Sequence, residues 1–288
     1  MVNLMYNDGR NILLIVEGAD DEVNLFKQVI KCFPEIRLSP ENILVYNTNL
    51  WVLNDDLSRE FGDKWYESED IEFREFLKAK FPDIIGKKIT DIFLVFDYER
   101  QDNRFDAAIL EKMLEFFNDS VENGQLYINY PMVESYRHLN TKPLPDDSYR
   151  DRVCNIFDIE HYKEIVGRET KFHDYRKYDR TLLNNVICHN LKKASYIVNN
   201  TYDLNKLALS NFARQINYLD IAKKQNQVSI KDTGFIYVLC TCVCFVTDYN
   251  VKLLFDWVNC EVLIKRENIL SFWSLIEGLH KTRDFLIF

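Results

Sequence analysis

The 288-residue chain contains no apolar run long enough to cross a lipid bilayer. Its longest apolar stretch, GFIYVLCTCVCFV at residues 234–246, is shorter than the roughly 20 residues that a membrane-spanning helix needs. The first ten residues, MVNLMYNDGR, also lack the basic and then apolar pattern of a secretory signal peptide. We therefore expect a protein that is neither membrane-embedded nor exported and that resides in the cytoplasm.

Positive charge is also scarce, since 36 Lys and Arg residues face 45 Asp and Glu residues, for a formal net charge of −9. A protein that coats duplex nucleic acid needs an excess of Lys and Arg against the phosphates, so the charge disfavours this mode of binding. It leaves open a local basic groove or a metal-bridged phosphate. The seven cysteines form an odd set without the paired CxxC spacing of a zinc site, and reduced cytosolic thiols are the simplest interpretation.

The first half of the chain alternates short apolar runs with helical patterns. Strands are predicted at residues 12–16 (ILLIV), 42–46 (NILVY), 91–96 (DIFLVF) and 125–130 (QLYINY). Helical spacing follows the first strand and recurs at residues 71–81 and 107–117. Strands separated by helices predict right-handed crossovers, and hence an α/β fold with a mostly parallel sheet flanked by helices.

The second half of the chain has mainly helical patterns, notably at residues 179–198 and 203–222. The stretch TKPLPDDS at residues 141–148 contains prolines and acids and is typical of a linker. We therefore predict an α/β domain over residues 1–145 and a mainly α-helical domain over residues 146–288.

Acidic residues follow two of the predicted strands. Glu17 ends the first strand, and Asp97 and Glu99 follow the third. Because neighbouring parallel strands lie about 4.8 Å apart and end at one edge, we expect these three side chains to converge. Two carboxylates about 5 Å apart repel by roughly 3 kcal/mol at an effective dielectric of 20, so such a cluster requires a cation. Oxygen ligands without His or Cys favour Mg²⁺ or Mn²⁺ over zinc.

Together, the two motifs ILLIVEG at residues 12–18 and IFLVFDYE at residues 92–99 resemble the TOPRIM domain. TOPRIM domains are metal-dependent modules of topoisomerases, primases and OLD-type nucleases. The resemblance covers about residues 10–140 and implies a TOPRIM-like sheet. The family usually has Asp where this chain has Glu99. OLD-type relatives carry a second acid four residues after the first glutamate, and Asp21 occupies that position.

A third stretch, NYPMVESYRHL at residues 129–139, resembles stand-alone TOPRIM nucleases of bacterial abortive-infection and anti-phage modules. The resemblance implies an endonuclease that hydrolyses phosphodiester bonds of DNA or RNA, paired with an ABC-type ATPase, and a homo-oligomer is left open. The implied catalytic residues are Glu17, Asp97, Glu99 and Glu134. The implied ligands for Mg²⁺ or Mn²⁺ are Glu17, Asp21, Asp97 and Glu99.

Residues 168–180, RETKFHDYRKYDR, interleave basic and aromatic residues. Cations beside stacking rings suit single-stranded or looped nucleic acid, and Lys171, Arg176 and Lys177 are the candidates here. The alternative is a mixed-charge helix with an aromatic inner face. We add Lys192 and Lys193, on the next predicted helix, because OLD-type nucleases use a lysine from outside the acidic cluster.

Residues 55–72 carry eight acids against Arg59 and Lys64. Such a segment is either a solvated insertion or a docking surface for a basic partner, because a patch of one charge sign speeds and orients association.

Each acid that is assigned to the site also has a purely structural interpretation. Glu17 also suits a strand-ending turn. Asp97 suits a cap of the following segment, with Glu99 and Arg100 as a solvated pair. Asp21 favours a helix start through the helix dipole, and Glu134 can pair with Arg137 one turn later.

Two rival functions stand beside the nuclease. An aspartyl-phosphate receiver or phosphatase is disfavoured, because its acids follow a shorter spacing and it needs a lysine at another strand end. A degenerate TOPRIM scaffold that binds an ATPase without catalysis stays open because of Glu99.

Overall fold

A five-stranded, mostly parallel sheet forms the centre of the protein, in a computed structural model that describes residues 9–139, 146–230 and 234–254. Its strands are β1 (Ile12–Val16), β2 (Ile43–Val45), β3 (Asp91–Asp97), β4 (Asn118–Asp119) and β5 (Gly124–Asn129). Their order across the sheet is β2-β1-β3-β5-β4. Only β4 runs antiparallel to its neighbour. The predicted α/β class with a mostly parallel sheet is therefore confirmed.

The central strands are buried on both faces. All five residues of β1 are buried, as are the first six of β3, which explains why the sequence shows continuous apolar runs rather than alternation. Val16 of β1 pairs with Val95 of β3, and Asp97 pairs with Asn129 at the end of β5. This register brings the carboxyl ends of three strands to one edge.

Four helices connect the strands: α1 (Asp21–Cys32), α2 (Leu50–Phe61), α3 (Phe73–Lys80) and α4 (Ala107–Phe116). Asp106 caps the start of helix α4, since its carboxylate accepts hydrogen bonds from the backbone N–H groups of Ala108 and Ile109.

Helix α2 falls in part on the acid-rich segment and was not predicted. It buries Leu50, Trp51, Leu53 and Leu57 against the core. The interpretation of residues 55–72 as a solvated insertion is therefore wrong for their first part, which belongs to the packed fold. The acids occupy the outer side of an amphipathic helix whose apolar residues begin before the acidic run.

The second half is mainly helical, as predicted, and contains α5 (Tyr162–Glu169), α6 (Arg180–Asn199), α7 (Lys206–Ala213), α8 (Tyr218–Val228) and α9 (Phe245–Asn250). The helix predicted over residues 203–222 is thus two helices. A short antiparallel pair, β6 (Val153–Asn155) with β7 (Phe235–Tyr237), was not predicted. Within the described residues, no helix is long and apolar enough to cross a membrane. The six cysteines described are all free thiols.

The chain returns to the first sheet after β7. The ring of Phe245 contacts Phe26 and Phe93, with centroids 5.6 Å and 4.9 Å away. One continuous hydrophobic cluster includes residues of both predicted domains. The predicted boundary at residue 145 lies outside the described residues, and the two-domain division stays a prediction.

Asp248 of α9 joins this returning segment to the sheet. Its Oδ2 accepts hydrogen bonds from the hydroxyls of Tyr127 on β5, at 2.7 Å, and Tyr218 on α8, at 2.6 Å. Burial raises the pKa of Asp248 from 3.8 to about 6, against the two tyrosine bonds that lower it. The folded state therefore binds this proton more tightly than the unfolded chain does.

We expect the stability that Asp248 contributes to be present below about pH 4 and lost as pH rises through about 6, because ionisation costs the folded state more. Asp248→Asn keeps an acceptor for both hydroxyls but does not titrate. Urea denaturation between pH 4 and 8 should show the free energy of unfolding of the wild type falling relative to that of the variant. Parallel pH profiles would contradict this account.

Candidate metal centre

Glu17, Asp97 and Glu99 form a cluster at the carboxyl ends of β1 and β3. Each offers a carboxylate oxygen, and these oxygens all lie within 4.8 Å of one another. The backbone N–H of Asp97 donates to Glu17 Oε2 at 2.9 Å, which ties the first acid to the end of the neighbouring strand. The structure thus brings together the three acids that the sequence predicts to converge.

Glu99 joins the cluster through an unusual backbone conformation. Its φ is +46°, in the left-handed region that costs a residue with a side chain on the order of 1 kcal/mol or more. The side-chain amide of Gln101 donates through Nε2 to Glu99 Oε2 at 3.0 Å. Although the TOPRIM pattern usually has Asp here, the glutamate carboxylate still lies within the cluster.

The cluster is electrostatically costly as it stands. Burial raises the pKa of Glu17 to about 8, with further increases from the charges of Glu99, Glu22 and Glu134, against the Asp97 N–H bond that lowers it. Burial, followed by the charge of Glu17, also raises the pKa of Asp97 well above its ordinary value. In the described part of the chain, no Lys or Arg lies within 4.0 Å of the three carboxylates as an ion-pair partner. Three oxygen donors without a compensating cation fit a hard metal ion.

Asn129 supports Asp97 and was missed by the sequence analysis. It is fully buried at the end of β5, and its Nδ2 lies 3.5 Å from Asp97 Oδ1. Its own Oδ1 accepts a hydrogen bond from the backbone N–H of Cys242 at 3.2 Å. The available signal was a polar residue that ends an apolar strand.

Glu22 is a further buried acid beside the cluster, and it too was missed. Burial raises the pKa of Glu22, and its charge raises the pKa of Glu17 and Asp97. A Cβ atom at Gly18 would lie 3.0 Å from Glu22 Oε2. The glycine of the ILLIVEG motif therefore leaves room for this side chain.

The other two predicted acids, Asp21 and Glu134, lie outside the cluster of three and bind a lysine. The Lys163 ammonium lies 2.5 Å from Asp21 Oδ2 and 2.8 Å from Glu134 Oε1. Arg137 Nη2 lies 3.9 Å from Asp21 and 4.0 Å from Glu134. The alternative pairing of Glu134 with Arg137 is therefore present, at the longest distance that still counts as an ion pair. Roles for Asp21 in metal binding and Glu134 in catalysis stay predictions.

Lys163 was missed because it lies on α5, a helix for which the sequence analysis made no prediction. Burial works to raise the pKa of Asp21, but the hydrogen bond from Lys163 and its charge help to hold that pKa below its ordinary value. Burial raises the pKa of Glu134, although the same lysine opposes the shift.

The basic and aromatic segment at residues 168–180 does not present its rings as a stacking platform. Phe172 and Tyr178 are buried, and the Tyr178 hydroxyl donates to the Phe172 carbonyl at 3.0 Å. The helical alternative is also wrong, since the structure has only a short 3-10 turn at Tyr175–Lys177 before α6 begins. Two of the three rings, Phe172 and Tyr178, do face inward, as that alternative proposed.

The three cations predicted in this segment are exposed. Arg176 forms an ion pair with Asp174 at 2.8 Å, and Lys177 lies 4.0 Å from the same carboxylate. Contact of Lys171, Arg176 and Lys177 with nucleic acid stays a prediction, now without two of the stacking rings.

The structure corrects the prediction that Lys193 contacts nucleic acid. Its side chain is fully buried, and its ammonium donates to the backbone carbonyls of Tyr149, Arg150 and Arg152. Because an ammonium has three donors, none is left for a phosphate. Lys192, the neighbouring residue, is half-buried, with its ammonium 5.8 Å from the centre of the Tyr202 ring. A charge pattern on a helix did not reveal which lysine faces inward.

Comparisons of the chain with protein-family models, with curated proteins and with solved structures found no match. The TOPRIM resemblance therefore rests on the sequence motifs quoted above and stays a prediction. The geometry of the acidic cluster is independent of that resemblance.

We expect Lys193→Met to lower the free energy of unfolding by about 3 kcal/mol, because three buried carbonyls lose their donor. The matched variant Lys192→Met, one residue earlier on the same helix, should change it by no more than about 0.5 kcal/mol. Urea denaturation measures both. Equal effects of the two substitutions would contradict the structural role of Lys193.

Proposed function

We propose that the protein is a metal-dependent endonuclease that hydrolyses phosphodiester bonds of DNA or RNA. The observation that carries this proposal is the cluster of Glu17, Asp97 and Glu99, whose carboxylate oxygens lie within 4.8 Å of one another. Carboxylates without nitrogen or sulfur ligands are the donor set that Mg²⁺ or Mn²⁺ prefers. The resemblance to TOPRIM nucleases supplies the reaction.

A divalent cation bound there would polarise the scissile phosphate and lower the pKa of a bound water. The residues of the chain keep the ligands in place before binding. The Asp97 N–H fixes Glu17, and Asn129 lies against the Asp97 carboxylate. Lys163 and Arg137 supply positive charge beside Asp21 and Glu134, where an incoming phosphate group can be attracted.

The wider role that we propose is that of a cytoplasmic effector in a bacterial anti-phage (abortive-infection) system. It rests on the resemblance of residues 129–139 to stand-alone TOPRIM nucleases. A free nuclease would damage its host, so we propose that an ABC-type ATPase controls its activity.

Cleavage assays on purified protein test the nuclease proposal. Labelled DNA and RNA should be cut in millimolar Mg²⁺ or Mn²⁺ and left intact in EDTA. Glu17→Gln and Asp97→Asn remove a ligand charge without removing volume, and each should lower the rate at least about 100-fold, an effect of at least about 2.7 kcal/mol on the barrier. Glu115→Gln, which changes an exposed acid on α4, serves as a control and should keep full activity.

The melting temperature provides a second readout of the same variants. Metal should raise it in the wild type and in Glu115→Gln but not in Glu17→Gln, since only a bound ligand stabilises the native state by mass action. No shift at millimolar metal would count against the metal centre. A shift without cleavage of either polymer would favour the scaffold that binds an ATPase without catalysis.

Exposed acids of residues 55–72 form the surface that we propose for the ATPase. Asp55 pairs with Arg104 at 3.1 Å, and Asp56 pairs with Arg59 at 2.8 Å and Lys80 at 2.5 Å, so these two acids already have partners. The exposed acids are Glu60, Asp63, Glu67, Glu69, Asp70 and Glu72, of which Glu67 lies 3.7 Å from the Lys64 ammonium. A partner with a basic surface suits them.

We expect the triple change of Glu60, Asp63 and Glu67 to Lys to weaken association with the cognate ABC-type ATPase at least tenfold, and added salt to weaken the wild-type complex. Analytical ultracentrifugation at low and high salt measures both effects. The control reverses three exposed acids elsewhere, namely Asp83, Glu115 and Glu122. Equal affinities of the two triple variants would exclude this docking surface.

A further inference from the structure

Asp21 and Glu134 hold an ammonium group between them in the manner of two carboxylates that share a cation. Lys163 lies 2.5 Å from one and 2.8 Å from the other. The Glu134 side chain is only 3% exposed, whereas that of Lys163 is 62% exposed. Helix α5 therefore places the Lys163 ammonium against the buried Glu134 carboxylate, where a charge-assisted hydrogen bond is strong.

The pair of Asp21 and Glu134 differs from the cluster of three in the positive charge that lies beside it. Asp21 and Glu134 have Lys163 and, at a longer distance, Arg137. The cluster has no such partner among the residues that the structure describes. The two groups of acids follow the same strand ends. Asp21 follows Glu17 by four residues, at the start of α1. Glu134 follows Asn129 by five residues, and Asn129 pairs with Asp97 at the end of β5.

We propose that the Lys163 ammonium takes the place of a second metal ion, so that the site binds a single divalent cation at Glu17, Asp97 and Glu99. This inference rests on the proposed metal-dependent function. In enzymes with two ions, the pair of cations neutralises charge on both sides of the reacting phosphate. Here one of the two positive charges is built into the chain.

Two properties of Lys163 suit this role. A second Mg²⁺ would have to displace an ammonium that bonds both carboxylates, and Mg²⁺ also loses its own water reluctantly. An ammonium has three donors, and Asp21 and Glu134 use two of them. The third has no acceptor among the residues that the structure describes and is available for an oxygen of the substrate.

Counting bound Mn²⁺ tests the inference without any measurement of activity. We expect one Mn²⁺ per wild-type chain, measured by electron paramagnetic resonance of the free ion and by titration calorimetry. Lys163→Met removes the charge but keeps an apolar stem, and it should bind two, because Asp21 and Glu134 become available. Lys163→Arg keeps the charge and should bind one.

Two controls isolate the second site. Lys112→Met removes the lysine of an exposed ion pair with Glu115 on α4, 2.8 Å long, and should still bind one ion. Adding Asp21→Asn to Lys163→Met removes one of the freed ligands and should return the count from two to one.

A count of two in the wild type would overturn the inference, as would a count of one in Lys163→Met. A count of zero in the wild type would instead show that the metal centre of the proposed function is absent, and the inference would fall with it. Failure of this inference alone is therefore distinguishable from failure of the proposed function.

Discussion

Mutual repulsion among carboxylates at the ends of β1 and β3 is the constraint around which much of the neighbouring structure is arranged. Left alone, three acids within 4.8 Å would separate or take up protons. Burial raises the pKa of Glu17 to about 8, and the charge of Glu99 adds to that shift. The parallel pairing of the two strands prevents separation, because Val16 is held opposite Val95. The Asp97 N–H then fixes the Glu17 side chain. The sheet thus holds the acids together, and a cation is what would make the arrangement favourable.

The second half of the chain contributes to this edge of the sheet as well as covering it. The backbone of Cys242 donates to Asn129, which lies against Asp97, and the Thr241 hydroxyl donates to the Ile128 carbonyl at 2.8 Å. Helix α5 supplies Lys163 from the same half. The acids and the groups that orient or neutralise them therefore come from distant parts of the sequence, which makes the site dependent on packing between the two halves.

The parts of the site that were predictable are those with a local signature. An apolar run that ends in an acid marks Glu17 and Asp97 in the sequence, and parallel topology then implies that they meet. Lys163 has no such signature, because its position depends on how α5 packs. Asn129 is only one polar residue after an apolar strand. Charge alone was misleading for Lys193. In a sequence, a buried lysine whose ammonium binds three backbone carbonyls looks the same as a lysine that is free on the surface.

The same reasoning explains why most of the sheet could be predicted and α2 could not. Strands buried on both faces give continuous apolar runs, which are visible without knowledge of the fold. Helix α2 begins with Leu50 and Trp51 and continues into an acidic run, so its pattern is divided between a buried start and a charged outer side. The acids in that run are not equivalent. Asp56 is bound to Lys80 and Arg59, while Glu60 is exposed, and only their positions on the folded helix separate these two cases.

The distribution of charge at the strand ends has a consequence for a phosphate-containing ligand. One divalent cation would offset two of the three charges on Glu17, Asp97 and Glu99, so the cluster would stay negative or retain a proton. A phosphodiester approaching that cluster alone would meet repulsion. The positive charges of Lys163 and Arg137 lie beside the other acids, and Lys163 is largely exposed. Under the proposed function, a phosphate would therefore be attracted from the side of α5, while the cluster of three would hold the metal ion.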